Sequence, residues 1–127
     1  MSTQEASADS ADTAEETATV LFVDDEPDLL EIYEVLCGSE YEVFTAESGT
    51  EAIDRFGDHI DIAFFDRRMP EMTGDEAIRT LREQGYQTPI GIISAVDADN
   101  DVGVDHAAYL TKPVERDDVL TTIDEHT

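Results

Sequence analysis

Five short apolar runs, four of them followed by a helix-like stripe, leave this chain few ways to fold. Residues 20–23, 41–46, 62–65, 90–93 and 107–110 read as strands. They are nearly continuous in apolar character, as strands covered on both faces must be. Pro27 opens a helix whose Leu29, Ile32, Tyr33 and Leu36 form one stripe, and Gly38 ends it. Ser48 with Glu51 predicts a capping box for a helix carrying Ala52, Ile53 and Phe56. Thr73 with Glu76 predicts another, with Ala77, Ile78 and Leu81 inward and Gly85 at its end. Residues 115–126 read as a last helix with Val119, Leu120 and Ile123 inward. Repeated βα units imply an α/β fold, a doubly wound five-stranded parallel sheet of order 2-1-3-4-5. In such sheets the site lies beyond the carboxyl ends of the strands.

The chain of 127 residues is long enough for one core, and its 40% hydrophobic content suits a globule. No apolar run approaches the roughly 20 residues of a membrane span, and the acidic, polar start is unlike a targeting segment. Cys37 is the only cysteine, so no internal disulfide is expected, which fits a cytoplasmic protein; it reads as a buried small hydrophobe. Residues 1–18 lack any aliphatic pattern and read as a disordered acidic tail, leaving 19–127 as the folded domain. That tail holds five acids and no base, so the rest carries 27 acids and 7 bases, a balance of −20. A net charge of −25 argues against direct binding to nucleic acid or to an anionic membrane. It suits a cytoplasm of multimolar salt, where screening acts within about 3 Å. The environment inferred is therefore halophilic.

Only one residue is lysine. Lys112 stands directly before Pro113, at the end of the fifth apolar run. Asp24-Asp25, Asp66 and Ser94 end the first, third and fourth. Each has a bland reading. In a chain that is one quarter acid, an Asp-Asp pair before Pro27 arises readily by chance, and Lys112 alone could be a solvated base. The joint arrangement is harder to dismiss. Clustered carboxylates without a cation repel one another, and Mg²⁺ takes one or two carboxylates directly while keeping several waters. Asp25 and Asp66 suit that role, with Asp24 acting through water and the Arg68 backbone carbonyl adding an oxygen. Asp66 then serves as a nucleophile toward phosphorus. The Ser94 hydroxyl and the Lys112 ammonium neutralise the phosphoryl oxygens that Mg²⁺ leaves. His59, His106 and His126 are scattered and are assigned no ligand role.

The segments Leu21-Phe22-Val23-Asp24-Asp25-Glu26-Pro27, Asp66-Arg67-Arg68-Met69-Pro70-Glu71-Met72-Thr73-Gly74, Ser94-Ala95 and Tyr109-Leu110-Thr111-Lys112-Pro113 resemble the receiver domain of two-component response regulators. The resemblance covers roughly residues 19–126 and implies a flavodoxin-like fold. It implies transfer of a phosphoryl group from a sensor histidine kinase onto Asp66. It further implies that Ser94 moves toward the phosphate, that Tyr109 turns inward behind it, and that a cis Lys112–Pro113 bond directs the lysine into the site. The Asp-Arg-Arg-Met-Pro and Ser-Ala-Val-Asp runs look particularly like haloarchaeal receivers, some of which carry a C-terminal HalX domain. No such domain follows here, so a stand-alone receiver or a piece of a longer regulator is expected.

The resemblance also implies an output protein or domain, unidentified, and a phosphorylation-dependent homodimer. Between Ser94 and Lys112 the chain is about one turn shorter than in receivers generally, and residues 97–103 are poor in helix formers. A shortened fourth helix is therefore expected. Arg68, two residues past the acceptor, is placed where its guanidinium can hang over the phosphoryl group. Two other readings compete. A phosphatase of the haloacid dehalogenase type shares the aspartate, the hydroxyl, the lysine and Mg²⁺, but needs a second aspartate where Arg68 stands. A degenerate receiver acting only as a binding module should lack an acceptor or metal acid, and none is missing.

Overall fold

The computed structural model describes residues 17–95 and 106–127, in which five strands and four helices are seen. The elements are β1 (Thr19–Val23), α1 (Pro27–Cys37), β2 (Glu42–Ala46), α2 (Gly49–Arg55), β3 (Ile62–Asp66), α3 (Gly74–Glu83), β4 (Ile90–Ser94), β5 (Ala108–Thr111) and α4 (Arg116–His126). The strands form one parallel sheet in the order β2-β1-β3-β4-β5, as expected. The helix expected between β4 and β5 falls outside the described residues. So does the expected tail except for Thr17 and Ala18. Ala18 is buried, and its carbonyl accepts the Glu42 N–H at 3.0 Å, one residue ahead of the β1 register.

Every residue of β1, β3 and β4 is buried, which explains their unbroken apolar sequence. Strand alternation divides their side chains between two cores. Leu21, Ala63, Phe65 and Ile92 pack under α2 and α3; Phe22, Ile62, Phe64 and Ile93 pack under α1 and α4. β2 lies at the sheet edge and alternates in exposure, with Glu42 and Phe44 outward.

The helix ends largely follow local chemistry. Thr73 and Glu76 complete the predicted capping box of α3, each side chain accepting the other residue's N–H. At α2 the box is half formed. Ser48 Oγ accepts the Glu51 N–H at 3.0 Å, but the Glu51 carboxylate takes the Glu47 N–H and the Arg55 guanidinium instead. Gly85 follows α3 at φ 98°, a left-handed conformation that glycine adopts without strain.

One helix face differs from expectation. The stripe predicted on α1 includes Ile32, yet Ile32 is 49% exposed, and the residues fully turned inward are Leu30, Tyr33 and Cys37. Leu29 and Leu36 pack at the edge of that core. Both rows have helical spacing, so periodicity alone does not choose between them. Tyr33 is common to both rows and stacks on Phe22, which in turn stacks on Phe64; the burial of Leu30 and Cys37 beside it sets the rotation.

Candidate functional site

The carboxyl rim of the sheet is held by hydrogen bonds that continue the ladders past the strand ends. Asp24 N–H donates to Ala46 O (3.1 Å), Arg67 N–H to Ile93 O (3.2 Å) and Lys112 N–H to Ser94 O (2.7 Å). The predicted site residues are therefore carried on a hydrogen-bonded edge. Alternation sorts them: Asp24, Asp66 and Lys112 continue the rows of Phe22, Phe64 and Leu110, all in the α1/α4 core. Ser94 and Tyr109 share the opposite parity, that of Ile92 on the α2/α3 side. Gly74 brings the start of α3 against the Asp66 backbone, where a Cβ would collide with the Asp66 carbonyl oxygen. Glu71, at φ 72°, closes the preceding turn, in which Met72 N–H donates to Pro70 O at 2.7 Å.

The predicted residues converge. Lys112 Nζ stands 3.1 Å from Asp24 Oδ2 and 3.4 Å from Asp66 Oδ1. Asp24, Asp66 and Ser94 are buried, and the Lys112–Pro113 peptide is cis. The second Asp24 oxygen accepts the Glu26 N–H at 2.9 Å. The Arg68 N–H reaches Asp66 Oδ1 only at 3.5 Å, the limit of a hydrogen bond. Burial, and then the Asp24 charge, push the Asp66 carboxyl above its ordinary pKa; Lys112 pulls it back only in part. Burial alone would lower the Lys112 pKa, but the hydrogen bond and charge of Asp24, with those of Asp66, leave it raised. The lysine is thus fully ammonium at neutral pH, between two acids.

One carboxylate oxygen from each of Asp24, Asp25 and Asp66 lies within 4.8 Å of the others. All are hard oxygens, and the cluster contains no histidine or thiolate. That donor set fits Mg²⁺ and not a softer transition metal.

Arg68, the arginine expected over the acceptor, is exposed. The organised guanidinium is the neighbouring Arg67, whose Nε donates to both carboxylate oxygens of Asp75 at 3.2 Å. Motif reading passed over this pair. The signal is strand alternation, which sends Arg67 to the Phe65 side, toward the first turn of α3.

A model of the response regulator receiver domain matches residues 20–124. The chain belongs to the response regulator receiver domain family. A protein of Haloferax volcanii, named provisionally as a transcriptional regulator, is 36% identical over 98% of this chain and 22% of its own length. The cell cycle response regulator CtrA of Brucella abortus is 33% identical over 82% of this receiver and 47% of its own length. This receiver therefore spans less than half the length of these relatives. Among solved structures, the chemotaxis protein CheY4 of Vibrio cholerae superposes with a TM-score of 0.79 at 28% identity, covering 87% of this chain and 99% of that one. The response regulator TrrA of Thermotoga maritima, solved with Mg²⁺ and BeF, gives 0.78 at 26% identity, covering 87% and 100%. The receiver fold is thus that of a phosphoryl acceptor, and the two competing readings are not favoured. No helix among the described residues is long and apolar enough to cross a membrane.

Proposed function

We propose that this receiver takes a phosphoryl group from the phosphohistidine of a sensor histidine kinase onto Asp66 and thereby switches an output surface. The observation that carries the assignment is the bridging of Asp24 and Asp66 by the chain's single lysine, Lys112. Asp24, Asp25 and Asp66, with the Arg68 carbonyl, would hold Mg²⁺, which supplies charge neutralisation to the phosphoryl oxygens when bound. An Asp66 carboxylate oxygen attacks phosphorus, a P–O bond forms, and the P–N bond to histidine breaks. The imidazole leaves with its electron pair and takes up a proton. Lys112 and Ser94 stand on neighbouring strand ends to receive the remaining oxygens, so catalysis here is positioning and electrostatics. The chain assists its own phosphorylation and dephosphorylation and is not otherwise an enzyme.

Ser94 and Tyr109 form the switch in this reading, supported by their shared parity on the adjacent strands β4 and β5. The partners are a cytoplasmic kinase domain, an output protein or domain, and under phosphorylation a second copy of this chain. Direct contact with nucleic acid or membrane is not part of the reading, given the net charge of −25. The test is intact-mass and phosphopeptide analysis after incubation with acetyl phosphate and Mg²⁺ in high salt. One phosphoryl group on Asp66 is expected, absent from Asp66→Asn and strongly reduced in Asp25→Ala. Undiminished labelling of Asp66→Asn, or turnover of small phosphoesters, would overturn the reading.

A further inference from the structure

Arg67 closes the acceptor turn twice. Its carbonyl accepts the Gly74 N–H at 3.0 Å, and its Nε donates to both carboxylate oxygens of Asp75 at 3.2 Å. Between these ends the chain bends sharply, with Glu71 at φ 72° and the Met72 N–H donating to Pro70 O at 2.7 Å. A bond spanning two residues, with a left-handed residue between them, is a γ-turn of the rare, strained kind. Such a turn is held by its ends rather than by its own backbone preference. The Arg67 and Asp75 side chains are 18% and 20% exposed, whereas the Arg55–Glu51 and Arg116–Glu40 pairs are more exposed. An ion pair taken out of water adds little stability over apolar side chains of similar volume. What it adds is direction, because a guanidinium donates along a fixed fork. The pair sits on the Phe65 side of the sheet, opposite to Asp24 and Asp66, so its effect on the site passes through the backbone.

We propose that the Arg67–Asp75 clasp holds the acceptor turn so that the Arg68 carbonyl and the Asp66 carboxylate meet the same Mg²⁺, which makes both members of the clasp positioning residues for the metal. The proposal rests on the receiver reading above. With the clasp open, the strain at Glu71 is free to relax and the turn drifts. The Arg68 carbonyl is then presented to Mg²⁺ for less of the time. Asp24 and Asp25 follow β1 and keep their places. Metal binding therefore weakens without vanishing.

The experiment titrates Mg²⁺ into the full chain in high salt and follows the Arg68 amide by NMR, for Arg67→Met, Asp75→Leu and the double variant. Each variant is also melted without metal. Either single substitution removes half of the pair, so it should lower the melting temperature and weaken Mg²⁺ binding about threefold to tenfold. The double variant should regain melting temperature, as apolar side chains fill the place, yet bind Mg²⁺ no better than the singles. Arg67→Lys keeps the charge without the fork and should bind at intermediate strength. If Arg67→Met does not fold, Asp75→Asn takes its place, with the same loss of affinity expected. Unchanged affinity in the singles, losses that multiply in the double, or affinity that simply tracks melting temperature across the set would overturn the positioning role. Failure of the unmodified chain to bind Mg²⁺, or binding that Asp25→Ala leaves unchanged, would instead overturn the metal site of the receiver reading, and this proposal with it.

Discussion

Lys112 Nζ lies within 3.4 Å of both Asp24 and Asp66, so one ammonium serves two buried carboxylates. Removing it leaves two like charges facing each other in a partly desolvated site. Breaking a fully buried pair costs about 3–5 kcal/mol. Lys112 is 20% exposed, so solvent screening reduces this to roughly 1–3 kcal/mol for Lys112→Met without metal. Thermal melts should show that loss, and added Mg²⁺ should recover much of it by taking over the neutralisation. A Lys112→Met melt equal to that of the unmodified chain in metal-free buffer would refute the bridging role.

Asp66 makes the opposite prediction. Its carboxyl is raised by burial and by Asp24, so the folded protein binds this proton more readily than the unfolded chain does. The stabilisation from a protonated Asp66 is present below the ordinary carboxylate pKa and is lost as pH rises through the raised value. At neutral pH the ionised side chain therefore costs stability. Asp66→Asn in metal-free buffer should melt higher, by roughly 4 °C for each kcal/mol recovered. The gain should shrink as pH falls below the raised value. A lower melting temperature for Asp66→Asn at pH 7 would contradict the sign.

Folding should depend on salt. A chain of net charge −25 repels itself wherever screening is weak, and a marginal domain has only about 5–15 kcal/mol in reserve. The melting temperature should climb by roughly 10 °C between 0.1 M and 3 M KCl. A flat profile would remove the halophilic interpretation of the composition.

Cys37 should be inert in the native state. It is fully buried against the α1/α4 core, and burial pushes its thiol up to about 11, against the opposing charge of Arg116 and with a smaller push from Glu40. Little thiolate exists at pH 8, and reagents cannot reach it. An aromatic disulfide reagent should label it only after denaturation. Rapid native labelling would place Cys37 on an opening segment of α1.

Much of the site was legible because its residues end strands. Asp24, Asp66, Ser94 and Lys112 each follow or close an apolar run, and parallel topology gathers such ends on one rim. The capping box at Thr73–Glu76 was equally legible, since both partners lie within one turn. The box at Ser48 was only half right, because the Glu51 carboxylate takes the Glu47 N–H and pairs with Arg55. Arg67 was passed over in favour of Arg68, since adjacent arginines look alike until strand alternation assigns them to opposite sides.

The order of elements, the parallel sheet and the residues that gather on its rim could be read along the chain. These follow from period, residue type and position along the chain, all of them local. Three-dimensional packing sets which edge of α1 faces the sheet, which arginine is anchored, and how one lysine divides between two acids. Those outcomes turn on the burial of Leu30 and Cys37 in the α1/α4 core, the meeting of Arg67 with Asp75, and the approach of Lys112 to Asp24. Most of these contacts join residues on different elements, where packing and the loss of water, rather than local pattern, select among arrangements the sequence leaves open.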